Sequence, residues 1–145
     1  MDFALTEKQE ILHRSAREFL EVECPTSVVR EAEESREGHA PELWRKMAGL
    51  GWLGISLPEQ FGGTGGSLTD QTVLFEEIGR ALTPGPLLTS SVLAAQIVLN
   101  AGNDAHKAAL IPGVISGEII LTLARGERLE TASRDGGLTL SGDSL

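Results

Sequence analysis

The chain has 145 residues, with 12 Lys and Arg against 21 Asp and Glu, a formal net charge of −9 and a pI near 4.8. An acidic surface offers no basic face for phosphate, which argues against nucleic acid or an anionic membrane as partner, and the single cysteine, Cys24, excludes an internal disulfide or a cysteine-built metal site. Hydrophobic residues make up 41%, enough for one ordinary core; no apolar run nears the ~20 residues of a membrane span, and Asp2, Glu7 and Glu10 stand where a leader peptide needs an apolar core, so the expected location is cytoplasmic.

Helical periodicity dominates the first four-fifths of the chain. Thr6 and Gln9 have capping-box spacing, and Ile11, Leu12, Ala16, Phe19 and Leu20 follow as one apolar stripe that Pro25 stops. Residues 26–38 carry Glu31, Glu33, Glu34 and Glu37 with Arg30 and Arg36 interleaved, a solvated helix face or a connection. Pro41 suits a first helical turn, and Leu43, Trp44, Met47 and Leu50 form a short second stripe that closes at Gly49 and Gly51.

The run from Gly51 to Ser67, GWLGISLPEQFGGTGGS, then breaks every regular pattern. Each glycine costs ~1 kcal/mol against alanine in a helix interior, so the run reads as a tight loop. Ser67 and Asp70 cap the next helix, with Val73, Leu74, Ile78, Ala81 and Leu82 on its buried side until Thr83-Pro84-Gly85-Pro86 ends it. A fourth amphipathic segment starts at a Thr89 or Ser90 cap. It is apolar around most of its circumference, which predicts core positions at Ile97 and Leu99, and Gly102 closes it. Asn103 or Asp104 caps a short fifth helix ending near Leu110, before Pro112. From Glu118 the pattern turns β: Ile119–Ala124 and Leu138–Leu140 read as strands. The sequence therefore predicts a mostly α chain, a helical domain over 1–117 followed by the first strands of an incomplete β domain over 118–145. Strands with no sheet to join predict that the chain is not a stable monomer.

Four pieces of this sequence resemble, in order, the acyl-CoA dehydrogenase family. Phe3-x-Leu5-Thr6-x-x-Gln9 is similar to the family's opening segment, and the Gly51–Ser67 run to its GW-x-G-x-x-x-PE-x-Y/F-GG-x-G signature. Glu76-Glu77-Ile78-Gly79-Arg80-Ala81 resembles the EE-L/I-G/A-RA helix, and Leu110-Ile111-Pro112-x-x-x-Ser116-Gly117-Glu118 the entry to the middle β domain. The resemblance implies FAD as cofactor and an acyl-CoA thioester as substrate. It also implies a homo- or hetero-oligomer of related subunits, with the N-terminal helices as one wall of the acyl and flavin pocket. The family's catalytic glutamate lies on a C-terminal bundle, beyond Leu145.

The same alignment places Leu123–Arg128 on the family's flavin strand, so Ala124 and Gly126 are the cofactor-binding candidates. Only Glu127 matches the family's Thr-Glu-Pro there; Gly126 stands for the threonine and Arg128 for the proline, and no Gly-Ser-Asp follows. A glycine strand keeps its N–H groups and loses the hydroxyl. Arg125 or Arg128 pairing with a phosphate is the alternative to plain surface arginines. Glu59, Glu76 and Glu77 read as structural or solvated carboxylates, so no catalytic residue is expected in this chain. The 62–66 glycines before a helix have the composition of a phosphate cradle, but no Lys-Ser or Lys-Thr follows. His13, His39 and His106 lack metal-ligand spacing. Two functions fit: the N-terminal part of a flavin-dependent acyl-CoA dehydrogenase, inactive by itself, or a non-catalytic binding or assembly subunit that pairs with a catalytic relative.

Overall fold

The computed structural model describes residues 4–124, 128–134 and 137–143. Its helices are α1 (Glu7–Glu23), α2 (Thr26–Glu34), α3 (Pro41–Gly49), α4 (Leu68–Arg80), α5 (Ala95–Ala101) and α6 (Asp104–Ser116). Single 3-10 turns at Trp52–Gly54 and Glu59–Phe61 fill the link from α3 to α4, and a π-helical segment, Leu88–Ala94, runs straight into α5. Strands β1 (Arg128–Arg134) and β2 (Gly137–Asp143) pair antiparallel, Arg128 opposite Asp143 through Arg134 opposite Gly137.

Both predicted capping boxes form. The Gln9 N–H donates to Thr6 Oγ1 at 3.3 Å and the Thr6 N–H to Gln9 Oε1 at 3.0 Å; Ser67 and Asp70 exchange the same two bonds at 3.1 and 2.7 Å. Gln9 Nε2 then donates to Asp70 Oδ1 at 2.8 Å, which ties the two caps to each other. Cap-to-cap contact starts α1 and α4 side by side, pointing the same way.

Two apolar cores form. The larger gathers Ala16 and Leu20 of α1, Leu43, Trp44 and Met47 of α3, Leu53 and Ile55 of the first 3-10 turn, and Leu74 and Ile78 of α4. Phe19 meets Trp52 edge-on with ring centroids 5.1 Å apart. The smaller core holds Leu57, Ala95, Ile111 and Val114, with Leu99, Ile115 and Ile119 packed against it. At about 1.5–3 kcal/mol for each large aliphatic side chain buried, these two groups dominate the stability of the helical part.

Several expectations need correction. Ile119–Ala124 is not a strand: it is extended chain without a ladder, because its inward amides bond to helical residues rather than to another strand. The fourth helix has no Thr89 or Ser90 cap; Leu88 opens a π turn and Thr89 Oγ1 donates back to Pro86 O at 3.1 Å. Ile97 is 45% exposed rather than core, since α5 turns only Ala95 fully inward; Leu99 is half-buried. The fifth helix runs through Pro112 to Ser116, capped by Asn103, whose Oδ1 accepts from the His106 N–H at 2.8 Å. An internal proline costs ~3 kcal/mol; burial of Ile111 and Val114 on either side of it offsets that, and Ala108, whose carbonyl loses its partner, is exposed.

The buried stripes are also narrower than predicted. Ile11 and Leu50 are exposed, and Leu82 leaves the core because α4 stops at Arg80. Leu82 takes φ 51 in a left-handed turn, closed by Thr83 N–H to Ile78 O at 3.0 Å, so the helix ends before the prolines arrive. Residues 26–34, left open between helix and connection, are helical.

Candidate functional site

The three carboxylates of sequence interest end in different places. Glu59 and Glu76 are exposed. Glu77 is fully buried and gripped on all sides: Arg17 donates twice, at 3.1 and 2.7 Å, Arg80 Nε donates at 2.7 Å, and His13 Nε2 lies 2.8 Å away. The Arg17 hydrogen bond, ahead of the Arg80 one and against the cost of burial, pulls the Glu77 carboxyl down to about 2. A carboxylate so committed cannot take a proton from a substrate near neutral pH. Sequence spacing showed the Arg80 contact, three residues on; Arg17 and His13 were missed, although their i, i+4 spacing on α1 was there to read.

The glycine loop binds nothing through its backbone. Gly62, Gly63, Thr64, Gly65 and Gly66 donate their N–H groups to the carbonyls of Glu59, Pro58, Gly54, Leu57 and Ile55, at 2.8–3.2 Å. With all five donors occupied inside the fold, none is left to cradle a phosphate. Glycine is required at 63 for close approach, because a Cβ there would overlap the Leu57 carbonyl. Among the described residues no three His, Cys, Asp or Glu side chains cluster as a metal site, and no described helix is long and apolar enough to cross a membrane.

What the chain does present is an apolar face. Leu88 and Leu93 of the π segment and Ile97 of α5 are exposed large aliphatics within one continuous stretch of helix. Beneath Leu88 a cavity of about 130 Å³ opens between α3, α4 and the 83–88 turn, lined by Met47, Phe75, Ile78, Thr83 and Leu87 among others. A larger apolar cleft of about 380 Å³ lies between α1 and the 50–55 turn, against Leu12, Phe19, Leu50 and Trp52. π-helical turns are rare and recur at functional sites; here the turn also buries two hydroxyls. Ser91 Oγ is buried without a partner, and Ser90 Oγ accepts the Leu121 N–H at 3.0 Å.

That last bond brings in the extended segment. Trp44 Nε1 donates to Gly117 O at 3.1 Å, and the Ile119 N–H to Gly113 O at 2.9 Å. The Ile119 side chain fills the space over Gly113, where an added Cβ would sit 2.5 Å from Cδ1. Beyond Leu121, the residues Thr122, Leu123 and Ala124 are exposed, and among the described residues their amides make no hydrogen bond. Of the two cofactor candidates, Ala124 thus offers a free N–H at the surface, while Gly126, like Arg125, lies outside the described residues. Arg128 lies at the start of β1, opposite Asp143. As a flavin site the segment fits through backbone donors, with Thr122 as its one nearby hydroxyl.

The family profile described as acyl-CoA dehydrogenase, N-terminal domain, matches residues 6–118. The acyl-CoA dehydrogenase IpdE2 of Mycolicibacterium smegmatis is 35% identical over 117 residues, 80% of this chain and 37% of that protein. Mitochondrial isovaleryl-CoA dehydrogenase of Pongo abelii is 35% identical over 85% of this chain and 30% of its own length. In structure, a chain of the ChsE4–ChsE5 complex of Mycobacterium tuberculosis superposes with TM-score 0.86 at 30% identity, covering 98% of this chain and 40% of that one. The chain thus spans well under half of each of these relatives. Helical architecture, signature loop and relatives agree: the chain belongs to the acyl-CoA dehydrogenase family, with residues 6–118 as its N-terminal helical domain.

Proposed function

We propose that this chain supplies one wall of the pocket in which an FAD-dependent acyl-CoA dehydrogenase oxidises an acyl-CoA thioester between its α and β carbons. Residues 1–117 act as the helical domain and 118–145 as the beginning of the next. The observation that carries this reading is the exposed apolar face Leu88–Leu93–Ile97, joined through Ser90 to the segment that aligns with the family's flavin strand. An acyl chain needs such an apolar wall, and flavin supplies the hydride acceptor when bound. The chemistry also needs a carboxylate aimed at the α-carbon. Glu59, Glu76 and Glu77 are ill placed for it, so the base comes from another segment or subunit and the chain alone is inactive.

A second reading, a non-catalytic subunit paired with a catalytic relative, is favoured by the hydroxyl-poor flavin segment and by the likeness to a chain of the two-component ChsE4–ChsE5 complex. One experiment tests both. A tagged copy of the chain is isolated from its own cells under native conditions, its flavin content is read by absorbance, and acyl-CoA oxidation is followed with an artificial acceptor. A flavin-containing, active assembly whose base and flavin donors lie in a separate homologous chain supports the subunit. The same activity in one continuous polypeptide supports the first reading. A flavin-free isolate with no acyl-CoA binding refutes both.

A further inference from the structure

We propose that Ser90 is a positioning residue that fixes the flavin segment against the acyl wall; this rests on the functional reading above. The chain leaving α6 is tied down at three points, Gly117, Ile119 and Leu121. The first tie uses the Trp44 indole, packed in the core, and the second uses backbone on both sides. Only the third depends on a side chain of the π segment. Ile119 and Leu121 point their amides inward, as alternate residues of extended chain do, and Ser90 decides where the last inward amide sits. Its residue is 0% exposed, so water cannot stand in for the missing oxygen if the hydroxyl is removed.

The placement has a consequence for binding. The π turn that carries Ser90 also carries Leu88 and Leu93 on its exposed side. One turn of helix therefore holds both the apolar face and the anchor of the free amides at Thr122, Leu123 and Ala124. Without the anchor, those three donors lose their fixed relation to that face, and a planar ring system held by backbone N–H groups needs that relation held closely.

The test uses the full chain, FAD as the probe, and two variants that delete the bond from opposite sides, Ser90→Ala and Leu121→Pro. Amide exchange, FAD affinity by flavin fluorescence, and the visible circular dichroism of bound FAD are measured, with exchange at Leu74 as the check on the fold. Ser90→Ala is expected to speed exchange at Leu121 and to weaken FAD, each by about tenfold, the scale of one buried hydrogen bond. It should change the flavin dichroism and leave Leu74 unmoved. Leu121→Pro should weaken FAD to the same degree, and the double variant no further. Should Ser90→Ala unfold the chain, Leu121→Pro, which leaves the buried serine in place, decides alone. Wild-type binding of FAD with equal affinity and spectrum in the variants overturns the role of Ser90 while leaving the functional reading intact. A wild-type chain that binds no FAD, with Leu121 still protected, refutes the flavin reading and this proposal together.

Discussion

Arg17 and Glu77, 60 residues apart in the chain, meet through two hydrogen bonds, Nε to Oε2 at 3.1 Å and Nη2 to Oε1 at 2.7 Å. They form the middle rung of a polar ladder. Gln9, His13, Arg17 and Glu21, each four residues from the last on α1, face Asp70, Glu77, Glu77 again and Arg80 of α4. Glu77→Gln keeps the shape and removes the charge. It should cost about 1–3 kcal/mol, the range for hydrogen bonds to a charged group, discounted because both arginines are partly in water. Arg17→Ala should cost less, since Arg80 still holds Glu77. Urea unfolding of both variants against the parent checks the order.

The same carboxylate sets an acid limit. Its folded pKa, about 2, lies below the ordinary 4.5, so the folded state binds fewer protons than the unfolded one in that window. Its stabilisation is complete above about pH 4.5 and lost as pH falls toward about 2. Asp70 is shifted in the same direction, chiefly by the Gln9 hydrogen bond and then by the Ser67 N–H, and adds to the loss. Unfolding midpoints should fall steeply across this window in the parent and less steeply in Glu77→Gln.

Glycines in this chain differ in kind, and two substitutions separate them. Gly63→Ala drives a Cβ into the Leu57 carbonyl, a backbone atom with no room to move, and should cost at least about 3 kcal/mol, the upper end of overpacking. Gly79→Ala, exposed on α4 with open space around it, should stabilise by about 0.5–1 kcal/mol through helix propensity. Thermal melts of opposite sign are the expected result.

Leu74→Ala should cost about 2–5 kcal/mol because its side chain is wholly buried. Ile97→Ala, at an exposed position, should cost under about 1 kcal/mol in the isolated chain. Equal, large losses at both sites would show that Ile97 is covered, for instance by a second copy.

Association is expected of the full chain. β1 and β2 pair only with each other among the described residues, and a lone two-stranded sheet is marginal in water. Light scattering on the full chain should show oligomers, and a version ending at Gly117 should be monomeric. A monomeric full chain with the strands protected from exchange would contradict this.

Local signals carried most of the fold. Capping boxes at Thr6 and Ser67, the αL glycine at Gly117 and the apolar stripe through Ala16 and Leu20 depend on neighbours within a few residues, and all are where the sequence puts them. Failures came where a distant partner decided. Ile119–Ala124 has the composition of a strand, and a helix instead supplies its acceptors. Pro112 reads as a stop signal, but tertiary burial on both sides of it keeps the helix going. For the site, Ala124 and Gly126 came from the resemblance alone. Ser90 was read as a cap because serine near an apolar run usually is one; its real partner, 31 residues on, left no periodic trace.

The glycine run has every amide turned inward, so its five donors serve the scaffold and are silent toward ligands. Selection for a correctly folded helical domain is then enough to preserve it, with or without turnover. A chain that had surrendered its base, its cofactor hydroxyls, or both would still keep the run intact. The family's most legible signature certifies ancestry and architecture, and says nothing about whether the descendant still catalyses.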